Sequence, residues 1–212
     1  MFANPKLLAK RLLRPLLYRY PPVIIKAERL YLWMDTMLKT KNVDGDVLEV
    51  GCYLGGTAAL SRHFLDAIGS TKTYMVVDTF EGFVPDQWAQ DEAAGTSAAL
   101  ARHFSSNSVE LTRWVLNRHG ASAVQISPGD ITKMPGERLP SHLSACLLDV
   151  DLSGPSYAGL KRLYPRLESG GIILVDDCDQ ETEYKARVGY ERFMSEHKLS
   201  TEYRYGMGIV RK

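Results

Sequence analysis

The chain has 212 residues, 45% of them hydrophobic, with 26 Lys and Arg against 25 Asp and Glu, for a formal net charge of +1. That length suits one well-cored domain and is short for two, and the near-neutral balance gives no footprint for a nucleic-acid partner. No apolar run approaches the roughly 20 residues of a membrane span, and the three cysteines, Cys52, Cys146 and Cys178, stand at no metal-ligand spacing, which points to core-filling thiols in a reducing, cytoplasmic setting.

Residues 1–20 carry Lys6, Lys10, Arg11, Arg14 and Arg19 with no acid, among Leu7, Leu8, Leu12, Leu13, Leu16 and Leu17 at helical spacing. Pro15 limits any helix to its two flanks, and Pro21-Pro22 ends the segment. With a second apolar-periodic helix over Ile24 to Leu38, residues 1–40 read as a helical appendage to a single domain spanning 1–212. The basic stretch is expected to lie across the domain or a neighbouring subunit of a homodimer or higher homo-oligomer, in preference to an anionic membrane surface.

Val47 to Val50 is a short strand running into Gly51, Gly55 and Gly56, with Thr57 opening a helix. Glycines at a strand-to-helix turn let a ligand approach the backbone, and the helix N-terminus offers unpaired N–H groups. Tyr53 stands where a dinucleotide fingerprint would place its second glycine. That weakens a nicotinamide oxidoreductase reading and leaves room for a ligand whose anion is a carboxylate. A second strand, Thr73 to Val77, ends at Asp78, placed either to grip a ribose diol or to start a turn.

Residues 84–108 loosen into a lid, where Trp88, Arg102, His103 and Phe104 line a substrate pocket or anchor the loop. A helix over Leu111 to Arg118 and a third strand, Ala123 to Ser127, lead to Gly129-Asp130. Asp130 can accept from an exocyclic amine such as that of adenine, or cap the following turn. Next comes a βαβ unit: a strand over Ala145 to Val150, a helix over about Ser156 to Leu167, a Gly-Gly turn, and a strand over Ile172 to Val175. A right-handed crossover brings Asp149 and Asp151 near Asp176 and Asp177 at one sheet edge. With no Lys or Arg inside either cluster, these acids read as solvated strand ends or as the seat of a divalent cation such as Mg2+. A helix over Glu183 to His197 and two β segments turning at Gly206 close the chain as an antiparallel hairpin.

These residues carry a resemblance. The E-x-G-x-x-x-G-G turn at Glu49 to Gly56, D-T-F-E-G-F at Asp78 to Phe83, Gly129-Asp130, D-x-D-L at Asp149 to Leu152, L-Y-P-x-L-x-x-G-G at Leu163 to Gly171 and V-D-D at Val175 to Asp177 together resemble the class I S-adenosylmethionine-dependent methyltransferases. Within them the chain looks most like the macrocin O-methyltransferases, which methylate sugar hydroxyls of glycosylated natural products. The resemblance implies a Rossmann-like α/β fold: a mostly parallel seven-stranded sheet with helices on both faces. It implies that Glu49 orients the turn, that Gly51, Tyr53, Gly55 and Thr57 hold the methionine part of the cofactor, and that Asp78 with Thr79 binds ribose. Gly129 and Asp130 would flank adenine, and Asp149, Asp176 and Asp177 would ligate Mg2+. The expected reaction is methyl transfer to a saccharide hydroxyl, with Asp149, then Asp151, then His103 as candidate base. Ser153 and Cys178 stand where the family often has Tyr, and the catalytic lysine of catechol methyltransferases has no counterpart in Val150 to Ser153. The alternatives are a phenolic acceptor and a catalytically silent interaction scaffold.

Overall fold

The structure, a computed structural model, describes residues 5–212. Val47–Val50 and Leu143–Leu148 are buried along their whole length, as strands covered on both faces must be. The strands are β1 (Asp46–Val50), β2 (Tyr74–Asp78), β3 (Gln125–Pro128), β4 (Leu143–Leu148), β5 (Leu167–Val175), β6 (Tyr203–Arg204) and β7 (Met207–Arg211). They form one seven-stranded sheet in the order β3-β2-β1-β4-β5-β7-β6. The pairs from β3 to β5 are parallel, and β7 runs antiparallel to β5 and β6. This is the expected architecture, C-terminal hairpin included.

The helices are α1 (Pro5–Leu17), α2 (Ala27–Lys39), α3 (Gly56–Ala67), α4 (Pro85–Ala93), α5 (Val109–Arg118), α6 (Ser153–Leu163) and α7 (Ala186–Glu196). On one face of the sheet, Leu32, Trp33 and Met37 of α2, Leu65 of α3 and Leu116 of α5 pack with Val47, Tyr74 and Leu147. On the other, Leu160 and Leu163 of α6 and Tyr190 and Phe193 of α7 pack with Leu48, Cys146 and Ile173. Cys52, Cys146 and Cys178 are buried free thiols.

Three local features differ from the sequence reading. Helix α1 runs through Pro15 instead of breaking there: the proline falls in the last turn, where it forfeits only the bond to the Arg11 carbonyl. Gly170-Gly171 is not a turn ahead of β5 but an irregularity inside it, for Leu167 pairs with Leu143 while Ile172 already pairs with Ala145. Gly170 has φ +84° and donates to the Lys212 carbonyl at 2.7 Å, so the excursion is closed by the last strand. Finally, α2 is a core element. Trp33 is fully buried and its indole donates to Ser61 Oγ at 2.9 Å, whereas α1 buries none of its residues completely.

The order of strands reverses between β1 and β4, which opens a crevice beyond their carboxyl ends. There the Gly51 amide donates to the Val77 carbonyl and the Asp149 amide to the Val50 carbonyl, both at 2.8 Å. Gly51 has φ +86°, and a Cβ on it would lie 1.7 Å from the Asp149 carbonyl oxygen. Gly56 is equally constrained, with the Pro22 carbonyl 2.3 Å from where its Cβ would be. The strand tips can therefore approach each other only through a bare backbone. Gly51→Ala should cost roughly 4 kcal/mol or more in urea unfolding, in the range reserved for severe steric conflict. Gly69→Ala, with φ +67° but open space around it, should lose only the left-handed penalty of about 1–2 kcal/mol.

Candidate active site

A cavity of about 920 Å³, open to solvent, lies over the crevice. Its wall contains Glu49, Gly51, Tyr53 and Thr57 from the glycine turn, Asp78 and Thr79 from the end of β2, Gly129 and Asp130 from the end of β3, and Asp149 and Asp151 from the end of β4. Gly55, the left-handed N-cap of α3 at φ 76°, makes no side-chain cap, so the first amides of α3 open toward the cavity beside Gly56 and Thr57. Pro22, Ile24 and Ile25 close one side, which makes the α1–α2 connection part of the site.

The acids around this cavity are held in different ways. Glu49 is 2% exposed and accepts from the Tyr74 hydroxyl at 2.5 Å; burial pushes its carboxyl up to about 8, against the opposing pull of that hydrogen bond. Asp78 accepts the Cys52 and Tyr53 amides on Oδ2 at 2.9 and 2.8 Å and the Phe80 amide on Oδ1 at 2.7 Å. It clamps the glycine turn, and with the Asn107 side chain hydrogen-bonded to it as well, its roughly four acceptor positions are taken. Burial nonetheless holds its carboxyl above the ordinary range. Thr79 donates its hydroxyl to the Gly82 carbonyl at 2.7 Å. Asp130 accepts the Thr132 amide on Oδ1 at 2.8 Å, which is the turn-capping alternative, while its Oδ2 accepts the Gln87 amide at 2.8 Å.

Asp149 and Asp151 contrast with these. Burial first, and then Asp176 for Asp149 and Asp177 for Asp151, hold both well above the carboxylate range. The Asp151 carboxyl is hydrogen-bonded to that of Asp177, and among the described residues no donor is directed at the Asp149 carboxylate. Asp151 and Asp177 both take left-handed backbone, at φ 62° and 53°. Asp tolerates that region better than most side chains, and such strain gathers where acids are re-aimed for function.

Neither acidic cluster carries a cation of its own, and Arg29 of α2 offsets this edge from outside them. Arg29 is 4% exposed and donates from Nη1 to Asp176 Oδ1 at 2.7 Å and to Asp177 Oδ1 at 2.8 Å. It also contacts Asp179 and donates to the Tyr205 carbonyl at 3.2 Å. Asp149, Asp176 and Asp177 are neighbours, as expected, but Asp176 and Asp177 turn toward the guanidinium and lie off the cavity wall. Among the described residues no group of three or more His, Cys, Asp or Glu side chains is arranged to hold a metal ion. The oxygen donors suit Mg2+ in kind; their arrangement, with Arg29 on two of them, does not fit it as it stands.

The 84–108 segment is fastened at several points. Asp91, 1% exposed, accepts the Ser153 amide at 2.7 Å and the Ser153 hydroxyl, so Asp91 ties the first residue of α6 to α4 and the Ser153 hydroxyl is not free to touch a substrate. Cys178 is 2% exposed and packs in the core. His103 lies outside the cavity wall, with Nδ1 2.9 Å from the Tyr184 hydroxyl. Phe83 stacks on Trp88 at 5.1 Å and meets Phe104 edge-on at 5.9 Å and Tyr184 at 6.2 Å, giving the lid an aromatic underside. Lys10 of α1 reaches the Tyr53 hydroxyl and Ser106, Arg11 pairs with Glu110, and Arg14 lies over Trp114. The cationic side of α1 thus faces the domain. Leu8, Leu12 and Leu16 point outward, and no helix among the described residues is long and apolar enough to cross a membrane. Arg29, Gln87, Asp91, Tyr184 and Asn107, whose amide donates to the Tyr53 carbonyl at 3.2 Å, escaped the sequence reading because each finds its partner on a distant segment.

Two measurements test this electrostatic account. Arg29→Met strands buried carboxylates and should cost about 3–5 kcal/mol at pH 7 in denaturant unfolding with EDTA present. The cost should shrink at pH 5, because the Asp176 carboxyl, raised by burial and by Asp177 to about 6, then takes a proton and needs the guanidinium less. The second concerns Glu49. Its folded value of about 8 lies above the unfolded value of about 4.3, so its contribution is complete below that value and is lost as pH rises through the folded one. Glu49→Gln should remove a decline of at most about 1.4 kcal/mol per pH unit within that window, read as the difference between the two stability-versus-pH curves.

The sequence pattern of the macrocin-O-methyltransferase (TylF) family matches residues 26–204. The 8-demethyl-8-(2,3-dimethoxy-alpha-L-rhamnosyl)-tetracenomycin-C 4'-O-methyltransferase of Streptomyces olivaceus is 31% identical over 183 residues, covering 81% of this chain and 69% of that protein. The demethyldecarbamoylnovobiocin O-methyltransferase of Streptomyces niveus is 30% identical over 161 residues, covering 69% of this chain and 60% of that protein. The chain thus spans only part of the length of either relative. The solved structure of the O-methyltransferase NovP superposes with a TM-score of 0.73 at 22% identity, over 90% of this chain and 81% of that one, a likeness of fold. The matched pattern covers most of the chain and includes the glycine turn, both acidic strand tips and α2 with its arginine: the chain belongs to the TylF macrocin O-methyltransferase family.

Proposed function

We propose that this chain transfers the methyl group of S-adenosylmethionine to a sugar hydroxyl of a saccharide or glycosylated small molecule. Family membership supports the reaction class, and the rhamnosyl acceptor in the name of the Streptomyces olivaceus relative supports the sugar. The observation that carries the reading is Asp149, which lines the cavity with no donor among the described residues while Glu49, Asp78 and Asp130 on the same wall each have one.

In this reading the glycine turn and α3 N-terminus at Gly51, Tyr53, Gly55 and Thr57 take the cofactor's carboxylate, and a ribose hydroxyl beside Thr79 replaces the Asn107 side chain on Asp78. Gly129 and Asp130 border the adenine. The sulfonium then lies near Asp149, where its positive charge favours the ionised carboxylate that burial disfavours. An alcohol does not ionise at neutral pH, so its proton must leave as the methyl arrives. The acceptor oxygen forms its bond to the methyl carbon, the carbon–sulfur bond breaks with its electrons remaining on sulfur, and Asp149 receives the hydroxyl proton. With the sulfonium charge gone, a neutral Asp149 is the favoured form, so the step does not strand a charge in a dry site. Asp151 is next in line; His103 is outside the cavity wall, with its Nδ1 beside the Tyr184 hydroxyl.

The charge of the edge suits a hard cation, and Asp149, Asp176 and Asp177 are the residues that would hold Mg2+ if Arg29 yielded two of them. No step above depends on it. Calorimetry with S-adenosylhomocysteine and methyl transfer from labelled cofactor to a panel of glycosides test the proposal. Asp149→Asn should lower kcat by on the order of 100-fold or more while leaving cofactor affinity within a few-fold. No nucleoside binding at millimolar ligand, or full activity in Asp149→Asn, would end it. Activity that survives EDTA would remove Mg2+ from it.

A further inference from the structure

We infer that Gln87, in the first turn of α4, reads the 6-amino group of the cofactor's adenine and so fastens the lid helix to the bound nucleoside. The inference rests on the S-adenosylmethionine reading and names a residue for it that no sequence motif marks.

The geometry leaves the Gln87 side chain little choice. Its Nε2 donates to Asp130 Oδ2 at 2.8 Å and to Thr132 Oγ1 at 3.1 Å. An ionised carboxylate only accepts hydrogen bonds, so the nitrogen end of the amide must face Asp130. Both amide hydrogens are thereby used, and Oε1 is left on the other side of the group. Gln87 stands on the cavity wall next to Phe83, Gly129, Asp130 and Ile131, and among the described residues nothing donates to that oxygen. Asp130, the residue expected to meet adenine, accepts from Gln87 on one oxygen and from the Thr132 amide on the other, both at 2.8 Å, so half of its roughly four acceptor positions are taken. The Gln87 carbonyl is the acceptor at this end of the cavity that has no partner among the described residues, and it is flanked by an aromatic and an aliphatic wall, Phe83 and Ile131, suited to a flat ring. A ligand that fills it must donate, and adenine donates through its amino group.

The consequence reaches beyond affinity. At its other end α4 is tied to α6 by Asp91 and Ser153, so a nucleoside held by Gln87 completes a brace along the lid from the β3 tip to the β4 tip, where Asp149 and Asp151 wait.

The test compares S-adenosylhomocysteine with S-inosylhomocysteine, which carries a 6-oxo group in place of the amine, by calorimetry on the native chain, Gln87→Met and Gln87→Ala. The native protein should prefer the adenosyl compound by about tenfold or more, because two carbonyl oxygens would otherwise face each other. In both variants the preference should fall to within about threefold. A variant that weakens both ligands equally and keeps their ratio would mean that Gln87 only braces Asp130, and would overturn the inference. An undiminished preference in either variant would do the same. A native chain that binds neither compound would overturn the cofactor reading and this inference with it, a result distinct from the other two.

Discussion

The molecule is governed by the cost of placing carboxylates in a dry crevice. Glu49, Asp151 and Asp176 are buried, and Asp78 and Asp149 stand on the wall of the same cavity. An unpaired buried charge costs several kcal/mol, so each acid must find a donor, a cation or a proton. Glu49 holds a proton under the Tyr74 hydroxyl, Asp78 takes three backbone amides, and Asp176 and Asp177 share Arg29. Asp149 has neither donor nor cation among the described residues, and burial holds its carboxyl well above the carboxylate range. What the fold leaves unsatisfied at the switch point is therefore the group best placed to respond to a ligand that brings its own positive charge.

The same accounting explains why the N-terminal helices matter to a site built on strand tips. Arg29 links α2 to the end of β5 and, through the Tyr205 carbonyl, to the closing hairpin. Lys10 of α1 reaches Tyr53 in the glycine turn and Ser106 near the end of the lid, and the Pro22 backbone crosses so close to Gly56 that no side chain fits there. These contacts make residues 5–40 a wall and a counter-charge for the cavity. The lid likewise is held at Asp91, Gln87 and His103, each bonded to a different strand's loop.

Much of this was legible in the amino-acid order. Apolar runs flanked by Gly and Asp marked the parallel strands, and doubled acids at two strand ends pointed to one sheet edge, since a right-handed crossover puts successive parallel strand tips together. The glycine turn was readable because only Gly serves where φ is positive and another backbone passes at contact distance. Those features depend on neighbours in sequence, and a linear reading reaches them.

Tertiary structure decided the rest. The sequence alone marked Asp149, Asp151, Asp176 and Asp177 as neighbours. It could not say that Arg29, within a helix whose pattern reads as apolar packing, would occupy two of them and turn them away from a metal-like arrangement. Nor could it say that Asp130 would meet Gln87, or that Ser153 would spend its hydroxyl on Asp91. A hydrogen bond or ion pair between segments dozens of residues apart leaves no periodicity in either one. Its partners are chosen by which helix face the packed sheet brings within 3 Å, and that choice exists only once the core has closed.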